Sequence, residues 1–70
     1  MTERETEVLA LMAEGCSNLE AAERLHVSER TVKSHVTAVF TKLAVRDRAG
    51  AIVLAFDAGL VHPGAVRPPR

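Results

Sequence analysis

Apolar residues recur along this chain at helical rather than strand spacing. Val8, Leu11 and Met12 fall at i, i+3 and i+4, with Leu9 flanking, and Gly15 stands just beyond as a left-handed stop. The preceding "TERE" reads as a capping box in which Thr2 and Glu5 satisfy each other's backbone N–H groups. A helix over about 2–14 is predicted. Ser17 and Glu20 repeat the box ahead of a narrow stripe of Ala21, Ala22 and Leu25, which predicts a short helix over 18–25. His26 follows where the chain must turn, and histidine is among the few non-glycine residues that take up positive φ. Ser28 then caps a segment whose apolar residues are Val32, Val36, Val39, Phe40 and Leu43, predicting a helix over about 29–43.

After a break at "AVR", Asp47 caps a fourth helix, about 48–58, closed by Gly59 with Leu60 behind it. This segment is apolar nearly all round. At about 100° per residue, Ala49, Ile52, Val53, Phe56 and Leu60 form one stripe, expected to face the core. Ala51, Leu54, Ala55 and Ala58 form a second, expected to face outward, small and flat enough either for a homodimer contact or to cover a further domain. The remainder, "VHPGAVRPPR", is rich in Pro and Gly without periodicity, so residues 62–70 are expected to be a disordered tail. The predicted fold class is all-α: a four-helix bundle in a single domain over 1–61.

Composition agrees. Aromatics make up 3% of the chain and apolar residues 47%, which suits a small helical core better than a sheet. The single cysteine, Cys16, can form no internal disulfide and has no second thiol with which to share a metal. His26 has no Cys, His or acid neighbour at metal-ligand spacing, so neither metal nor cofactor is expected. No nucleophile–base pair or glycine-rich phosphate loop can be assembled, which argues against an enzyme. No apolar run reaches the ~20 residues of a membrane span and no signal peptide opens the chain, so a cytoplasmic protein without membrane contact is expected.

The formal net charge of zero hides a separation along the chain. Residues 1–23 carry six acids against Arg4, a net −5, whereas residues 24–48 carry six bases against Glu29 and Asp47, a net +4. Such asymmetry points to a polyanion approached from one side. The basic part contains the third helix, joined to the second only by His26, Val27 and the Ser28 cap. So short a link forces a steep crossing, the arrangement of a helix-turn-helix over about 17–36. That geometry projects the N-terminal half of the third helix outward, toward a major groove ~12 Å wide. Arg30, Thr31, Lys33, Ser34 and Thr37 are the side chains available there, offering cations and hydroxyls to phosphates and base edges.

The runs "TERETEVLALMAEG", "SNLEAAERLHVSERTVKSHV", "KLAVRDR" and "AFDAGLV" together resemble the LuxR/NarL (GerE-type) DNA-binding domain of bacterial transcription regulators, over residues 2–61. The resemblance implies a sequence-specific output domain of two-component type, binding double-stranded DNA with its third helix and forming a homodimer through its last. It also implies an N-terminal regulatory domain, a phosphorylated receiver or small-ligand sensor, that is absent from this chain. Carried over by position, Lys33, Ser34 and Thr37 fall on base-contacting sites. Asn18, Arg30, Thr31, His35 and Lys42 fall near phosphate-contacting ones, with His35 on the border of the apolar seam and so a packing residue or a phosphate donor. Leu19 stands where the family often has Lys, Ala21 where it has Ile, Gly50 where Gln is common, and Thr37 where some members have Lys. Two other readings fit the pattern: a sigma-factor region-four-like promoter-binding domain, or a helical protein-interaction module whose basic face is merely solvated.

Overall fold

A computed structural model of the chain describes residues 1–59. It contains four helices, α1 (Glu3–Ala13), α2 (Asn18–Leu25), α3 (Glu29–Leu43) and α4 (Arg48–Asp57), and no strand among the described residues. The fold class is the predicted one, and each helix agrees with its sequence-derived bounds to within a residue at either end. Residues 62–70 and Leu60 lie outside the described residues.

Each helix begins on a side chain that accepts from its own first turn. Thr2 accepts from the N–H of Glu5 and Ser17 from that of Glu20, and both capping boxes close reciprocally. Ser28 accepts from Thr31 N–H at 3.0 Å and Asp47 from Gly50 N–H at 2.8 Å. With Gly50 at that position, the Asp47 cap has no side chain to complete a box.

Three helices end alike. At Gly15, His26 and Ala44 the backbone turns left-handed, with φ of 93°, 58° and 56°. The next residue's N–H then reaches back to a carbonyl five positions earlier: Cys16 to Leu11, Val27 to Ala22, and Val45 to Phe40, all at 3.0–3.1 Å. This is the Schellman arrangement, and the residue that makes the long bond is apolar each time, as is common for the motif. Glycine was the sequence signal at the first of these and histidine at the second. At Ala44 the side chain carries no such signal.

The core is formed by Val8, Leu9 and Met12 of α1, Ala21 and Ala22 of α2, Val32, Val36 and Val39 of α3, and Ala51 and Ala55 of α4. Leu25, Val27, Phe40, Leu43, Val45, Ile52 and Phe56 pack around it, half-buried. The structure therefore divides α4 differently from the sequence expectation: Ile52 and Phe56 pack on the core as expected, but so do Ala51 and Ala55 of the stripe expected to face outward. Ala51 and Ala55 are fully buried, while Ala49 is exposed and Val53 is 60% exposed. Two alanines one turn apart let α4 approach α1 and α3 closely, where larger side chains would hold it off. Ala51 and Ala55 are thus core residues and unavailable to a second protomer. Leu54 is half-buried at the edge and Ala58 is exposed.

Candidate nucleic-acid interface

The link between α2 and α3 fixes the site. His26 in the left-handed region, with Val27 N–H returning to Ala22 carbonyl, reverses the chain in three residues. The Ser28 hydroxyl then starts α3 and also contacts Thr31 Oγ1 at 2.9 Å. The result is a helix-turn-helix whose second helix is seated by Val32, Val36 and Val39 against the core.

Opposite that seam, Arg30, Lys33, Ser34, Thr37 and Thr41 occupy an arc of about 100° at helical geometry, and all five are exposed. Thr37 Oγ1 donates to Lys33 carbonyl at 3.1 Å and Thr41 Oγ1 to Thr37 carbonyl at 3.0 Å. Both hydroxyl protons are thereby used within the helix, which leaves the oxygens as acceptors. Ser34 makes no hydrogen bond among the described residues and is free to donate or accept. Thr31 and His35 are half-buried, on the flank of the arc.

Not every basic residue is available. Arg24 pairs with Glu14 at 3.0 Å, and Lys42 with Glu5 at 2.7 Å. Arg48 donates to Asn18 Oδ1 at 3.0 Å and to the Cys16 carbonyl. Arg30, Lys33 and Arg46 have no acidic partner within ion-pair distance among the described residues, and two of these three stand on the α3 arc. Lys42, expected near a phosphate, lies nine residues beyond Lys33 and so about 180° round the helix from it. It is directed to Glu5 rather than grouped with the arc. The Glu5 carboxylate is held at a pKa of about 2, chiefly by the Lys42 hydrogen bond and then by the backbone N–H of Thr2. Leu19, where a lysine would add charge, is 54% exposed at the start of α2.

Sequence reasoning missed Arg48 as a bridging residue. One weak signal was there: a cation at the first position of a helix opposes the helix dipole, so a partner elsewhere offsets that cost. Glu5 was read only as a capping partner, because its second role depends on a residue 37 positions away.

Fold and site together define a helix-turn-helix domain of the DNA-binding, transcription-regulating class. A family model described as bacterial regulatory proteins, luxR family, matches residues 1–55, and the chain belongs to that family. The response regulator protein VraR of Staphylococcus aureus strain Mu3 is 46% identical over 62 residues, which is 89% of this chain and 30% of that protein. The proteins of the same name from Staphylococcus saprophyticus and Staphylococcus epidermidis match to the same extent. The chain thus spans under a third of the length of these relatives. Among the described residues no helix is long and apolar enough to cross a membrane.

Proposed function

We propose that this chain is the output domain of a two-component-type response regulator, and that it binds double-stranded DNA sequence-specifically as a homodimer in the cytoplasm. α3 enters the major groove. The observation that carries this reading is the solvent-facing arc of Arg30, Lys33, Ser34 and Thr37, whose two cations have no acidic partner within ion-pair distance and whose opposite face is locked in the core. Lys33 reaches a guanine edge or a phosphate as a pure donor. Ser34 and Thr37 tune the choice of base, and Arg30, Thr31 and His35 position the helix on the backbone. Lys42 contributes less than its charge suggests, because Glu5 compensates it.

The dimer forms through the outward face of α4, where Ala49 and Val53 are exposed beside half-buried Leu54 and Phe56. Ala58 lies at its end. A two-fold axis there would set two copies of α3 about one DNA turn, ~34 Å, apart. A regulatory domain N-terminal to Met1 supplies the input, as a receiver or ligand sensor, in keeping with the name of the staphylococcal relatives.

Random-site selection with the purified domain tests this directly. The expected result is enrichment of two related half-sites about 10 base pairs apart, with affinity falling as salt rises. Failure to enrich any sequence, together with salt-independent binding, overturns it.

A further inference from the structure

α4 begins on Arg48, whose positive charge opposes the dipole of its own helix. What holds the side chain there is distant in sequence. It reaches back 30 residues to Asn18, with Nη1 donating to Oδ1 at 3.0 Å, while Nη2 donates to the carbonyl of Cys16. One guanidinium thus joins α4 to the loop and first residue that open the helix-turn-helix.

The chemistry of the pair fixes more than distance. A guanidinium only donates, so the Asn18 atom facing it is the oxygen, and the amide is held in one of its two flips. Its nitrogen, Nδ2, is turned away from Arg48 and makes no hydrogen bond among the described residues. No buried side-chain nitrogen or oxygen there lacks a partner, so Nδ2 is accessible to solvent. A neutral amide donor open to solvent at the start of the helix-turn-helix suits a backbone phosphate, a frequent partner of polar side chains in DNA complexes.

We propose that Arg48 is a positioning residue for DNA binding: it orients the Asn18 amide so that Nδ2 donates to a phosphate of the duplex. The proposal rests on the DNA-binding reading above. It makes one phosphate contact depend on the placement of α4, the helix assigned to dimerisation, so that repositioning α4 in a dimer bears directly on the grip of α2.

The test is anisotropy titration of the whole chain against a random-sequence duplex over a range of salt. Asn18→Ala and Arg48→Met should each weaken binding roughly three- to tenfold, the worth of one hydrogen bond. The double variant should bind no more weakly than either single one. The slope of log K against log salt should stay unchanged in all three, because a neutral amide displaces no counterion. Arg48→Lys, which keeps a donor toward Oδ1, should recover part of the loss. Asn18→Asp keeps an oxygen toward Arg48 and so keeps the fold, but has no donor, and should bind at least as weakly as Asn18→Ala. Additive losses in the double variant overturn the proposal. So does a slope reduced by about 0.9 in Arg48→Met, since Arg48 would then be neutralising a phosphate itself. If circular dichroism shows Arg48→Met unfolded, the Asn18 variants decide: wild-type affinity in Asn18→Asp overturns it. Salt-dependent wild-type binding that the Asn18 variants leave untouched removes only this proposal, whereas a wild-type chain with no salt-dependent binding removes the DNA-binding reading with it.

Discussion

The Lys42 ammonium donates to Oε1 of Glu5 at 2.7 Å, and the same oxygen accepts from the backbone N–H of Thr2 at 3.0 Å. One carboxylate therefore caps α1 and ties it to the C-terminal half of α3. Glu5 is nearly fully buried, although its partner Lys42 is half-exposed.

The pH dependence of stability follows from that arrangement. The Glu5 pKa is lowered from 4.5 to about 2 in the folded chain, so between these values the unfolded state binds more protons than the folded one. The stabilisation is complete above about pH 4.5 and is lost as pH falls through 2. Glu20, lowered by its hydrogen bonds to Ser17, acts in the same direction. Urea denaturation from pH 6 downward should show a steeper acid limb for wild type than for Glu5→Gln. Superimposable limbs would remove Glu5 as the cause.

Ala44 occupies a left-handed conformation, φ 56° and ψ 42°, that costs an L-residue roughly 1–2 kcal/mol. Glycine avoids this cost but adds about 0.4–1 kcal/mol of unfolded-state entropy to be lost. Ala44→Gly should therefore stabilise the domain by about 0.5–1 kcal/mol. The expected readout is a raised urea midpoint with an unchanged m-value.

The α3 arc and the start of α2 make opposite predictions for substitutions of charge. Lys33→Ala should cost ~1–3 kcal/mol at the selected site and relax the sequence preference there. Leu19 is exposed, so Leu19→Lys should leave thermal stability unchanged. It should raise affinity for random DNA and steepen the salt slope by roughly 0.9. Filter binding across a salt series measures both.

The two sides of α4 make separate predictions for the proposed dimer and for folding. Val53→Asp places a charge on the outward face and should weaken dimerisation by at least about 2 kcal/mol while the monomer stays folded. Ala55→Leu forces three extra carbons into a filled position and should destabilise the monomer by about 1–3 kcal/mol. Sedimentation equilibrium for the first and denaturation for the second distinguish them.

What the sequence revealed was local. Thr2, Ser17, Ser28 and Asp47 announce helix starts because each acts within three residues of itself. His26 announces a turn because few other side chains accept positive φ. The arc of α3 was legible because one face is apolar and the other is not. The orientation of α4 was not, because both of its faces are apolar and periodicity does not say which is inward. Close helix approach selected the alanines, and Val53 is left outside. The partners of Lys42 and Arg48 were not legible for a related reason. They lie 37 and 30 residues away, and only the tertiary fold brings each pair together.

The Thr2–Glu5 box seals the first helix with groups that belong to the domain itself. Whatever polypeptide is joined ahead of Thr2 is not required to finish that end, and swapping it disturbs no bond in the bundle's first turn. Such a self-closed boundary makes the first turn complete in itself, its donors and acceptors already matched within four residues.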